Sequence, residues 1–169
     1  MKLGTRLFLI VLGAVLGVWL WTILAPNPDR VIRKRLAQVA QAASFAPGSS
    51  YLSNLAGAQR LADFFATNVE VRIDVPGHET QRLSSREELF QTDLGARAAV
   101  KSLSVSIPDV TLIIQPDKKS AIADLTLEAK IAGDSDMMIQ ELKLTLKKID
   151  GTWLITRVET VQTLQGGAH

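Results

Sequence analysis

Residues 51–75 read YLSNLAGAQRLADFFATNVEVRIDV, and within them the apolar spacing changes from about 3.6 residues to 2. Tyr51, Leu55, Ala58, Ala62 and Phe65 recur at helical spacing behind Ser50, a residue suited to cap a helix. Val69, Val71, Ile73 and Val75 then alternate with Glu70, Arg72 and Asp74, as in a strand with one buried face. A helix that runs directly into a strand predicts an α+β domain, in which helices cover one face of a sheet.

Upstream, Asn27 is a candidate N-cap, Pro28 a first helical residue and Asp29 a charge suited to the helix dipole. Ile32, Leu36, Val39 and Ala43 form the apolar stripe of that helix, with Arg33, Lys34 and Arg35 on a solvated face or against anionic lipid headgroups. Downstream, Pro76-Gly77 turns the chain and Glu79 to Leu83 reads as a short return strand. Ser84 with Glu87 has the capping-box form and predicts a third helix that carries Leu89, Phe90 and Leu94 inward. From Lys101 the chain reads as four strands. Pro108 marks a bulge or edge, Pro116 to Lys119 and Gly133 to Asp136 are turns, and Asp150-Gly151 is a hairpin signal. The inward residues are Ala121, Ala123, Leu125, Leu127 and Ile131, then Met138, Leu142, Leu144 and Leu146, then Trp153 and Ile155.

This order resembles the nuclear transport factor 2-like superfamily, which includes ketosteroid isomerases, scytalone dehydratase and many non-catalytic modules. The resemblance covers about Pro28 to Leu164. It rests on Phe64-Phe65-Ala66-Thr67-Asn68-Val69-Glu70, leading from helix into strand, and on Lys148-Ile149-Asp150-Gly151-Thr152-Trp153-Leu154-Ile155. It implies a cone of three helices on a curved, mostly antiparallel sheet around an apolar cavity, and it specifies fold rather than activity. With a membrane segment in front, the chain is also similar in architecture to inner-membrane assembly components of type IV secretion and to Mce-associated proteins.

The resemblance points to Asp74, in Asp74-Val75-Pro76-Gly77, as the candidate general base of an isomerase. Alternation places Asp74 with Glu70 and Arg72, opposite the apolar face, which favours a solvated carboxylate. The isomerases carry an oxyanion-donating tyrosine on the first helix, whereas Tyr51 opens the second. Glu141, near the second-acid region, falls on the polar side of the Leu142, Leu144, Leu146 pattern. Proton transfer beside a carbonyl needs both a base and an oxyanion stabiliser, and that pairing is not visible. Tyr51, Phe64, Phe65, Phe90 and Trp153 are the candidates to line a ligand cavity, with packed core as the plainer reading.

No cofactor or metal is expected. Cysteine is absent, the two histidines, His78 and His169, fall in a turn and at the chain end, and Asp134-Ser135-Asp136 lacks the ligand spacing of a calcium loop. Nucleophile-elbow and phosphate-loop motifs are missing as well.

The segment Leu7 to Ala25, LFLIVLGAVLGVWLWTILA, contains no charge over 19 residues. As a helix it would span roughly 30 Å of hydrocarbon. A cleaved signal peptide is the alternative, but its core would be unusually long, Ile23 is bulky at the −3 position, and Trp19 and Trp21 suit a membrane interface. The expectation is a basic tail (1–6), a single-pass anchor (7–25), an extracytoplasmic α+β domain (28–164), as in a bacterial periplasm, and a flexible tail (165–169). Gly13 and Gly17 form a G-x-x-x-G that allows close helix packing. Lys2 and Arg6 account for the net charge of +2, so the remainder is balanced, and a nucleic-acid partner is not expected. The expected function is a membrane-anchored non-catalytic module associating with envelope proteins or with a second copy; the alternative is an apolar-ligand-binding or isomerase-like domain with Asp74 as base.

Overall fold

The computed structural model describes residues 27–74, 80–133 and 137–161. The anchor segment with Gly13 and Gly17, the Pro76-Gly77 turn with His78, and the Asp134-Ser135-Asp136 turn lie outside the described residues. Among those described, no helix is long and apolar enough to cross a membrane.

Among the described residues three helices, α1 (Pro28–Ala43), α2 (Tyr51–Ala62) and α3 (Arg86–Ala99), pack on a six-stranded sheet. Its strands are β1 (Phe65–Ile73), β2 (Gln81–Leu83), β3 (Leu103–Ile114), β4 (Ser120–Ile131), β5 (Met137–Ile149) and β6 (Thr152–Thr160). They lie in the order β2-β1-β6-β5-β4-β3. Every pairing is antiparallel except β1 with β6, which is parallel. β6 is thus inserted between β1 and β5.

Local chemistry accounts for the element ends. Asn27 accepts from the Asp29 amide and Ser50 from the Ser53 amide, each capping a helix whose first amides have no internal partner. Asp150 and Gly151 both have positive φ, 48° and 81°, as a two-residue hairpin turn between β5 and β6 requires. Asp117 accepts from the amides of Lys119 and Ser120, which holds its carboxyl below the ordinary carboxylate range and fixes the β3–β4 turn. Pro108 sits at a register break between Ser106 and Asp109, as its missing amide demands. Beside that break, Arg33 donates to the Val110 carbonyl, so it is not simply a solvated residue.

Three sequence expectations are corrected. The capping serine of α3 is Ser85, not Ser84: Ser85 Oγ accepts from the Glu88 amide and Glu88 reaches back to the Ser84 amide. Both serines are followed three residues later by a glutamate, and the chain takes the second pair. Ser85→Ala should therefore cost about 1 kcal/mol in urea denaturation and Ser84→Ala close to nothing; the reverse ranking would restore the original register. Second, Phe65 does not extend the α2 stripe but begins β1, and Tyr51 is 69% exposed. Ala58 and Ala62 of the expected stripe are buried, together with Leu61, because the C-terminal turns of α2 carry the packing. Third, Met138 is not buried: Met137, Met138 and Ile139 are 50%, 50% and 57% exposed. They pair with β4 on one side only, since β6 joins β5 from Leu142 onward.

The core lies between the helices and the inner face of the sheet. Ile32 and Leu36 of α1 meet Ala121, Ala123 and Leu125 of β4, Leu142, Leu144 and Leu146 of β5, and Trp153, Ile155 and Val158 of β6. Val39 and Ala43, on the same stripe of α1, are only half-buried. They face a space that the core does not fill.

Candidate functional site

That space is a cavity of about 300 Å³ between the helices and the sheet. Its floor is built by the inward residues of the sheet, among them Val71, Leu125, Leu127, Leu142, Leu144 and Val158. The helices close it with Leu36, Val39 and Ala43 of α1, Leu61 of α2, and Leu89, Thr92, Asp93 and Ala96 of α3. Gln81, Thr92 and Ala96 are exposed and mark the mouth, between β2 and α3. Gln81, Thr92 and Asp93 are the polar residues of the described lining, and Asp93 is its one charged residue.

Asp93 owes its place to a buried ion pair. Its Oδ2 accepts from Arg97 Nε at 2.7 Å, one helical turn along α3, with side-chain exposures of 12% and 3%. Arg97 also donates to the Ala42 carbonyl at the end of α1 and lies over the Phe45 ring, 5.0 Å from its centroid. Gly57 lets α2 pass close by: a Cβ there would come within 2.6 Å of Arg97 Nη1. One guanidinium therefore ties the three helices together behind the cavity wall. Burial pushes the Asp93 carboxyl above the ordinary range, while the Arg97 hydrogen bond and charge act in the opposite sense.

The sequence candidates separate. Phe65 lines the cavity. Trp153 is buried in the core and Phe90 packs against it, but neither lines the cavity. Phe64 faces a polar groove between α1 and α2, where the Arg35 guanidinium lies 4.8 Å from its ring centroid. Tyr51 points to solvent and is no pocket residue. Asp74 does not enter the cavity either. It sits on the outer face of the sheet with Arg72, Lys143, Glu159 and Thr160. There its Oδ2 lies 3.3 Å from Arg72 Nε and its Oδ1 accepts from Thr80. Alternation had placed it so. Glu141 is likewise on the outer side, opposite the buried leucines of β5. Arg157 joins Glu70 and Glu159 on the same face, and Lys143 joins Asp124, giving a charge-laced surface.

Asp93 and Arg97 were not singled out in the sequence. A signal existed: Leu89, Asp93 and Ala96 lie at helical spacing on one stripe, so a carboxylate occupies a position reserved for apolar side chains. Among the described residues, no group of three or more histidine, aspartate or glutamate side chains is placed to hold a metal ion.

No protein-family model and no curated protein matches the chain. Solved structures do. A protein from Novosphingobium aromaticivorans provisionally named scytalone dehydratase matches with a TM-score of 0.58 at 16% identity, over 83% of this chain and 89% of its own. An NTF2-like protein with a cystatin-like fold from the same organism matches with a TM-score of 0.58 at 16% identity, over 93% and 90%. A domain of unknown function with a cystatin-like fold from Nostoc punctiforme reaches 0.60 at 14% identity, over 84% and 81%. The chain therefore has the nuclear transport factor 2-like, cystatin-like fold, and identities this low show the fold alone.

Proposed function

We propose that the domain binds a small, mainly apolar molecule inside the cone, and that the segment Leu7 to Ala25 holds it at a membrane with the domain on the extracytoplasmic side. The cavity carries the first part. Its volume lies at the lower end of the range for ligand sites, and because a void of about 150 Å³ takes up benzene, it suits a ligand of about two fused rings. Binding is favoured over turnover, since the one charged residue of the described lining is committed to Arg97 and neither histidine nor tyrosine accompanies it. The uncharged 19-residue run supports the second part.

The test is equilibrium dialysis of 2-ethylnaphthalene against the full-length chain in lipid nanodiscs, with empty nanodiscs as blank. Saturable uptake of one molecule per chain is expected, and uptake no greater than the blank removes the reading. For the anchor, the full-length chain should stay with membranes through alkaline extraction. A soluble mature chain lacking its first two dozen residues would overturn it.

The exposed start of β5 favours a second reading, association with an envelope protein or with a second copy. Met137, Met138 and Ile139 present apolar side chains beside backbone that has no strand on its β6 side among the described residues. Met138→Lys should then abolish crosslinked species recovered from membranes while leaving the urea midpoint within about 0.5 kcal/mol of stability. An unchanged crosslinking pattern would rule this surface out.

A further inference from the structure

The mouth and wall of the cavity narrow the ligand class, an inference that rests on the cavity reading above. Asp93 is the one charged residue of the described lining, and one of its oxygens is held by Arg97 at 2.7 Å. Arg97 itself does not line the cavity: its remaining contacts go to the Ala42 carbonyl and the Phe45 ring, behind the wall. A ligand inside therefore has Asp93, and not Arg97, in the wall beside it. The other carboxylate oxygen takes part in no ion pair or side-chain hydrogen bond among the described residues. In apolar surroundings such an acceptor rewards a donor strongly and penalises a second anion.

We infer that the ligand is an apolar molecule bearing a hydroxyl or amine donor directed at Asp93, and that molecules with a carboxylate head are excluded. The wall then does more than enclose. It selects by the polarity of the head while leaving the apolar body to shape.

The experiment uses four probes of one size on the full-length chain in lipid nanodiscs: naphthalen-2-ylmethanol, naphthalen-2-ylmethylamine, 2-ethylnaphthalene and 2-naphthoate. The alcohol and the amine should bind about tenfold more tightly than the ethyl compound, as a hydrogen bond to a charged acceptor implies. The naphthoate should not bind. In a double variant, Asp93→Leu with Arg97→Met, the charge pair is gone and the preference should vanish, with the ethyl compound bound as well as the alcohol. Asp93→Asn, which keeps a polar partner for Arg97, should admit the naphthoate and provides the answer if the double variant does not fold. Equal affinity for alcohol and ethyl compound in the parent chain would overturn the inference, as would a naphthoate still excluded by Asp93→Asn. Failure of all four probes to bind the parent chain would instead remove the cavity reading beneath it.

Discussion

Replacing Arg97 with alanine is expected to lower the stability of the chain by about 3–5 kcal/mol, the range for breaking one side of a buried pair. Three losses coincide. Asp93 is left in a site with 12% side-chain exposure and no counter-charge, the Ala42 carbonyl loses its donor, and the packing over Phe45 opens. The effect should depend on pH with a definite sign. Burial already raises the Asp93 carboxyl above its unfolded value, and removal of Arg97 raises it further. The folded state then retains a proton that the unfolded chain has released. The deficit is smallest below the unfolded value, about 3.9 for a free aspartate, and grows as pH climbs to the folded one. Urea denaturation of the full-length chain, followed by circular dichroism at several pH values, measures both. A loss below about 1 kcal/mol would mean that the guanidinium is not what ties the helices. Replacing both partners, Asp93→Leu with Arg97→Met, should recover most of the stability, because no charge is then stranded.

The second large effect is on binding. Thr92 is exposed at the cavity mouth, so Thr92→Trp adds an indole where a ligand would pass and sit without disturbing the buried core. Uptake of 2-ethylnaphthalene should fall by about thirtyfold, equivalent to about 2 kcal/mol of lost apolar contact. Stability should stay within about 0.5 kcal/mol, as for other surface changes. Unaltered uptake would show that the probe binds elsewhere, and a matching fall in stability would show that Thr92 belongs to the packed wall rather than to an entrance.

How far the sequence carried depends on which physics each residue obeys. Leu142, Leu144 and Leu146 alternate and are buried, because a strand with one wet face leaves no other arrangement. Asp150-Gly151 and Pro108 act through backbone geometry that neighbours cannot change, so their turn and register break were legible. Ser84 and Ser85 are locally equivalent, and only the packing of α3 chooses between them. Asp93 stands on the stripe of Leu89 and Ala96, but the spacing within α3 does not show that Arg97 reaches the Ala42 carbonyl of α1 and passes Gly57 of α2. Asp74 shows the converse: the family resemblance named it, whereas simple alternation placed it away from the apolar face. The parallel contact of β1 with β6 joins elements about 90 residues apart, beyond the reach of any periodicity.

That contact also governs the order in which the molecule can be assembled. β6 supplies the neighbour that joins β1 and β2 to the rest of the sheet, so the two parts of the sheet stay unjoined until β6 has been made. β6 must therefore be made before the sheet can close. Closure waits on a long-range encounter, which slows it. A chain stopped at the Asp150-Gly151 hairpin would leave unpaired the edges of β1 and β5 that β6 joins, two backbone edges open to aggregation.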